Sequence, residues 1–254
     1  MSAKFALHTI APLPAPLIDA AIRQALEEDL GLAGDITTNA TVAADTIADA
    51  VIATRRDGVV SGLQLAEAAF RALDATVVFK ISKPDGTRVA PGDVIATVIG
   101  NARAILTAER VALNFMGRMS GIATLTRRYA DAVAGTKAKI ADTRKTTPGL
   151  RSFEKYAVRC GGGQNHRTGL FDAVLIKDNH IVAAGGLEKA IEAARAAAGH
   201  MVKIEVEVDT LDQLDVLLHY KVDAVLLDNM TPAQLKDAVK RVTGRCLTEA
   251  SGGV

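Results

Sequence analysis

Cysteine, tryptophan and aromatics in general are scarce in this 254-residue chain: two Cys, no Trp and 4% aromatic residues. Cys160 and Cys246 are too few for a disulfide framework, and no Cys/His spacing of a zinc site accompanies them. Excess charge of either sign is also lacking. Lys+Arg 30 against Asp+Glu 29 leaves a formal net charge of +1, so no global field draws the chain to nucleic acid. No polybasic run addresses a membrane surface, and no segment approaches the roughly 20 apolar residues of a membrane span. The stretch from Ala11 to Pro16 lacks the apolar run of a secretory leader. These absences describe a cytoplasmic globular protein, long enough to bury a sizeable core in one or two domains.

What is present is local charge. The stretch Asp142-Thr143-Arg144-Lys145, just before Pro148-Gly149, sets an acid and two cations at the apparent end of a β-strand. Gln164 to Gly169 and Leu175 to His180 add further charged groups, an arrangement suited to a polyanionic small molecule. From about residue 138, short apolar strands alternate with amphipathic helices: strands at 139–142, 173–177, 203–208, 224–228 and 246–251, with helices at 150–160, 187–198 and 211–220. A further helix is entered through Thr231-Pro232, a cap residue followed by proline at the first helical position. Such alternation implies a parallel sheet. The first half differs. A helix over Leu17–Leu30 is followed by short strands over 46–100, punctuated by turns at Asp57-Gly58, Pro84 to Gly86 and Pro91 to Asp93. A long helical pattern over Thr107–Ala134 reads as interrupted near Ser120-Gly121.

The expected fold is therefore α/β: an N-terminal α+β sandwich-like domain (residues 1–115) followed by an incomplete, open α/β barrel of parallel strands (residues 116–254). A full eight-stranded barrel takes about 250 residues, far more than the second half offers. The chain also stops directly after a strand where a helix is expected, which reads as a truncated C-terminus.

In such architectures ligands bind beyond the carboxyl ends of the strands. Side chains alternate along a strand, so Lys203, Glu205 and Glu207 share a face pointing into the barrel. Lys203 and Glu205, deeper in the strand, read as internal salt bridges; Glu207 and Asp228, at strand ends, read as site residues. Opposite charges about 4 Å apart attract by roughly 4 kcal/mol at an effective dielectric near 20, so a few cations suffice to hold a polyanion. His166-Arg167 follows three glycines, and a guanidinium beside an imidazole suits carboxylate or phosphate recognition. His180 sits at a strand–helix junction where capping competes with ligand binding. His8, His200 and His219 read as surface residues, and Cys160 as core.

Together, Glu28 to Gly31, Gly34 to Thr38, Glu109 to Asn114, Ser120 to Ala123, Asp142 to Arg151, Gly161 to Asp172, Leu175 to His180, Glu205 to Val208, Leu226 to Asn229 and Glu249 to Gly253 closely resemble the quinolinate phosphoribosyltransferase family. The resemblance implies transfer of phosphoribose from 5-phosphoribosyl 1-pyrophosphate to quinolinate, with release of pyrophosphate and carbon dioxide to give nicotinate mononucleotide, and a requirement for Mg²⁺. It assigns Thr143 to the substrate site, and Arg144, His166 and Arg167 to the quinolinate carboxylates. Lys145 and Lys177 fall to the phosphates and ligand positioning. Glu207 and Asp228 would hold Mg²⁺, directly or through water, and the ribose. Ser251, Gly252 and Gly253 would cradle the 5′-phosphate. Lys145, Lys177, Glu207 and Asp228 are the residues nearest the chemistry. Arg110 corresponds to an arginine reaching a neighbouring subunit's site, which implies a homodimer, or a larger assembly, with shared active sites. The resemblance also implies a further strand, phosphate loop and helix beyond Val254. Two alternatives stand beside it: a paralogue associated with molybdenum transport, and a non-catalytic ligand-binding protein if that last loop is absent.

Overall fold

The computed structural model describes residues 10–253; His8 lies outside them. The chain separates into two compact units, residues 1–166 and 167–254.

The first unit holds α1 (Ala15–Leu30), α2 (Ile36–Thr41), β1 (Ile47–Ala53), β2 (Gly58–Val59), α3 (Leu63–Leu73), β3 (Val78–Ile81), β4 (Arg88–Val89), β5 (Val94–Asn101), α4 (Ala102–Ala132) and α5 (Arg151–Cys160). The strands form an antiparallel sheet in the order β1-β5-β3 and a separate β2-β4 pair. Ile18, Ile22 and Leu26 recur every four residues on α1, and Leu65, Ala66, Ala69 and Phe70 line the buried side of α3. With the buried faces of β5 and α4 they make one core, a helix-on-sheet sandwich of the kind expected.

α4 departs from its expected form in two ways. It begins at residue 102, where the Asn101 side chain accepts the N–H groups of Arg103 (3.0 Å) and Ala104 (3.2 Å), as an N-cap does. It also runs unbroken through Ser120-Gly121. Ser120 Oγ accepts Ser61 N–H (3.0 Å) and donates to Ser61 O (3.2 Å), so this residue docks the helix on the segment before α3. Packing along Ala108, Ala112, Met116, Met119 and Ala123 outweighs the roughly 1 kcal/mol helix penalty of a glycine.

The second unit holds β6 (Val174–Ile176), α6 (Asp178–Ala184), α7 (Leu187–Ala197), β7 (Ile204–Val208), α8 (Leu211–Leu217), β8 (Ala224–Asp228), α9 (Pro232–Val242) and β9 (Leu247–Ser251). Its four strands pair in parallel in chain order, β6-β7-β8-β9: the open, incomplete α/β barrel. Thr210 and Thr231 each begin a helix with a capping box completed by Gln213 and Gln234. Ile204, Val206, Val208, Val225 and Leu227 form one buried core with Ile191, Leu214, Leu217, Ala238 and Val242 of the helices. The alternate residues Glu205, Glu207, Leu226 and Asp228 take the other face.

Three expectations need correction. The strand expected over 139–142 is a single bridge, Ala141 to Gln164, within the first unit. α6 had no separate place in the sequence reading. Lys203 precedes β7 and pairs with Asp223 at 2.6 Å while 76% exposed, so it is a surface ion pair rather than an internal one.

Candidate active site

The residues singled out from the sequence fall in both units, and each unit organises its own set. In the first, the bridged segment around Ala141 brings Asp142 to the centre of a hydrogen-bond cluster. Asp142 Oδ1 accepts the Lys155 ammonium and His166 N–H (2.8 Å); Oδ2 accepts Asn165 Nδ2 (2.6 Å). Lys155 Nζ also donates to His166 O (3.1 Å), and Asn165 Nδ2 to Lys155 O (2.8 Å). The Lys155 and Asp142 side chains are only 5% and 9% exposed. Desolvating two charges costs several kcal/mol per ion unless they are paired and further hydrogen-bonded, and here they are. Asp142, which reads from the sequence as part of a ligand wall, spends its carboxylate on the protein.

The neighbours of Asp142 behave differently. Lys145 N–H donates to Thr143 Oγ1 (2.9 Å), a local turn that leaves both side chains exposed. Arg144 is half-buried, and its Nε is buried with no hydrogen-bond partner among the described residues. The turn that follows is anchored by Glu154, which accepts Arg118 Nε (3.0 Å) and Thr147 N–H (3.2 Å). Burial pushes the Glu154 carboxyl up, but Arg118 and Thr147 outweigh it and hold the group below its ordinary range. Arg110 lies exposed on α4, outside this cluster.

In the second unit, sheet register sets the cluster. Leu175 stands opposite Glu205 on the neighbouring strand, so Lys177 and Glu207, each two positions further on, emerge on one face. Their ammonium and carboxylate meet at 2.6 Å, with side chains 44% and 11% exposed. Leu226 neighbours both Glu207 and Glu249, and Asp228 lies beside Ser251. Asn229 ties the next layer together. It adopts φ +52°, donates Nδ2 to Asp228 Oδ2 (2.6 Å) and its N–H to Ser251 O (2.9 Å). A Cβ on Gly252, where φ is +90°, would fall 2.2 Å from Asn229 Oδ1. Gly253 follows at φ +67°, so the backbone closes here as only glycine allows.

Arg167 heads a tight loop. Its guanidinium donates to Ala173 O (3.2 Å), while Asp172 accepts the N–H groups of Thr168 (2.6 Å) and Gly169 (3.0 Å). Burial raises the Asp172 carboxyl, yet these N–H groups outweigh it and keep it below the usual carboxylate range. His180 takes the capping role: its Nδ1 accepts Lys177 N–H (2.9 Å) at the start of α6. His200 and His219 are exposed. Cys160 is 1% exposed, and burial pushes its thiol up to about 11.

Asn229, Lys155 and Asn165 were given no role from the sequence. Asn229 had a signal, since asparagine is among the few residues that tolerate the left-handed region. Lys155 had none: nothing in a helix of Phe153, Tyr156 and Cys160 says that its lysine is buried.

The residues so arranged are donors for anions in one set, and carboxylates paired with a cation in the other. Family models describe both parts of the chain: the quinolinate phosphoribosyl transferase N-terminal domain over residues 35–120 and its C-terminal domain over 122–254. The nicotinate-nucleotide pyrophosphorylase [carboxylating] of Mycobacterium leprae is 48% identical over 92% of this chain and 84% of its own length. The NadC structure from Streptococcus pyogenes superposes with a TM-score of 0.92 at 42% identity, covering 96% of this chain and 86% of that one. The nicotinate-nucleotide pyrophosphorylase structure from Francisella tularensis gives 0.90 at 39% identity, covering 97% and 87%.

Proposed function

The chain belongs to the quinolinate phosphoribosyltransferase family, and we infer that it is the carboxylating nicotinate-nucleotide pyrophosphorylase of de novo NAD biosynthesis. It transfers the phosphoribosyl group of 5-phosphoribosyl 1-pyrophosphate to quinolinate, yielding nicotinate mononucleotide, pyrophosphate and CO₂. The observation that carries this is the 48% identity to the M. leprae enzyme over 92% of the chain. The molybdenum-transport and non-catalytic readings are not favoured beside it.

The residue roles are those that the family resemblance implies. Arg144, whose buried Nε has no hydrogen-bond partner among the described residues, is assigned to the quinolinate carboxylates, as are His166 and Arg167, since a guanidinium fork matches a carboxylate. The pyridine nitrogen displaces pyrophosphate at the anomeric carbon, with cationic character building on the ribose ring. Lys177, exposed and already beside Glu207, offers its ammonium to the departing phosphates, as does exposed Lys145. Once ribosylated, the ring nitrogen is cationic and stabilises the carbanion left at C2 when CO₂ departs; that electron pair then takes a proton. No covalent nucleophile is needed. Ser251, Gly252 and Gly253 cradle the 5′-phosphate through backbone N–H groups, the two glycines holding φ values of +90° and +67°.

Mg²⁺ fits the carboxylates. Glu207 uses one oxygen for Lys177 and Asp228 one for Asn229. Glu207 Oε1 and Asp228 Oδ1 have no hydrogen bond among the described residues, which suits an ion held by one or two carboxylates plus substrate oxygens. When bound, the ion would neutralise charge on the leaving pyrophosphate.

The protein acts in the cytoplasm as a homodimer, or a larger assembly built from it, with shared sites. No helix among the described residues is long and apolar enough to cross a membrane. Dimerisation is supported by the sheet face that exposes Ile47 (68%), Val51 (60%) and Val78 (45%), and by Arg110, exposed on α4. Incubation with quinolinate, phosphoribosyl pyrophosphate and Mg²⁺ should yield nicotinate mononucleotide and CO₂ in equal amounts; neither product would sink the reading. Mixed dimers of Arg110→Ala with Glu207→Gln should regain activity that each homodimer lacks, and no regain would refute the shared site.

A further inference from the structure

The Asp142–Lys155 pair does more than neutralise itself. Its carboxylate takes the N–H of His166 (2.8 Å) and its ammonium takes the C=O of the same residue (3.1 Å). Both backbone polar groups of one residue are thus gripped by the two ends of a single buried ion pair. Asn165 closes the arrangement from the exposed side, with one Nδ2 on Asp142 Oδ2 (2.6 Å) and on Lys155 O (2.8 Å). The backbone just before is itself held, Gly163 N–H donating to Val158 O (3.0 Å) and Gln164 N–H to Ile140 O (2.8 Å), and the three side chains carry that grip onto both backbone polar groups of residue 166.

We propose that Asp142, Lys155 and Asn165 form a positioning clamp that fixes the His166 imidazole for quinolinate, none of the three touching substrate. The proposal rests on the assignment of His166 to the quinolinate carboxylates. A buried ion pair is a costly way to hold a loop, because both charges must be desolvated. Its advantage is rigidity: two opposite, localised charges fix an N–H and a C=O together, and a displacement on the order of 1 Å can cost a hundredfold in rate.

A merely structural pair and a positioning pair give different results when both charges are removed together. The neutral double variant Asp142→Asn/Lys155→Met leaves no unpaired buried charge, so its urea midpoint should lie well above that of Lys155→Met alone. Asn165→Ala leaves the ion pair intact and should shift the midpoint little. Quinolinate KM should rise about tenfold or more in the double variant and severalfold in Asn165→Ala. The KM for phosphoribosyl pyrophosphate should hold in both. Quinolinate binding by calorimetry, without the second substrate, should weaken in parallel.

Wild-type quinolinate KM in both variants would overturn the clamp, as would equal losses for both substrates. If the double variant does not fold, Asn165→Ala decides alone by the same two constants. His166→Ala separates the underlying assignment: unchanged quinolinate binding there removes His166 from the site, whereas weakened binding there with intact binding in the clamp variants refutes the clamp only.

Discussion

Two lysine–carboxylate pairs of similar chemistry sit in two different media. Lys155–Asp142 in the first unit is nearly dry, and each charge has further hydrogen-bond partners. Lys177–Glu207 in the second is wet on the lysine side, and Glu207 keeps one oxygen without a hydrogen bond among the described residues. The dry pair is committed to the fold and has nothing left to offer a ligand. The wet pair is cheap to open, so its ammonium can move to a phosphate and its carboxylate to a cation. Burial, rather than residue type, separates scaffold from chemistry.

The largest test of this contrast is stability. Lys155→Met leaves Asp142 buried without its counter-charge and should cost about 3–5 kcal/mol in urea unfolding. Lys177→Met should cost no more than about 1 kcal/mol, because an exposed partner is screened by solvent. Equal losses would erase the distinction. In activity the order reverses. Lys177→Met should lower kcat about 10²–10³-fold with a near-native midpoint, the usual effect of removing one electrostatic donor. Near-normal turnover would return Lys177 to a purely structural pairing.

Gly252 carries the contrast into the backbone. Alanine there meets Asn229 Oδ1 at 2.2 Å and holds a φ of +90°, costing about 1–3 kcal/mol by crowding and strain. The KM for phosphoribosyl pyrophosphate should rise more than that for quinolinate, since the displaced Asn229 holds Asp228 and Ser251. Gly253→Ala meets no atom within 4 Å, so it isolates the strain of φ +67° from the overlap. If both variants raise the same constant equally, the Asn229 contact is not what matters.

How far the sequence revealed this depends on which signal each residue leaves. Alternation along β7 placed Glu205 and Glu207 opposite Ile204, Val206 and Val208, and the structure keeps that division. Thr231-Pro232 announced α9 because a cap and a first-turn proline act locally. α4 was misread at Ser120-Gly121, where a tertiary contact with Ser61 overrides local propensity. Lys203 was misplaced because the partner that draws it outward, Asp223, is twenty residues away. Lys155 was invisible for the same reason: its burial depends on Asp142 and His166, thirteen and eleven residues distant. The motif that includes Asp172 was legible, but its grip on the Thr168 and Gly169 N–H groups required coordinates.

The smallest effect compares a dry carboxyl with a wet one as pH falls. Asp85 is half-buried at the N-terminus of α3, where it accepts Tyr156 OH (2.8 Å) and the N–H groups of Gly62 (3.2 Å) and Leu63 (3.3 Å). Burial raises its carboxyl despite these donors. Asp223 in the second unit is depressed, first by Lys203 and then by Ile204 N–H. The two therefore act with opposite sign. The protonated form of Asp85 is favoured by folding, so its contribution is full below the unfolded value near ~3.9 and is lost as pH rises through the raised folded value. Asp223 contributes above ~3.9 and loses that contribution as pH falls through its depressed folded value. Asp85→Asn should therefore gain on the wild type as pH rises from about 4 toward neutrality, whatever constant offset the amide introduces. Asp223→Asn should show its deficit at neutral pH and close it in acid, and added salt should shrink that deficit because Lys203 is exposed. Urea midpoints across that range decide the matter, and slopes of the same sign in the two variants would mean that burial does not divide the carboxyls as it divides the lysine pairs.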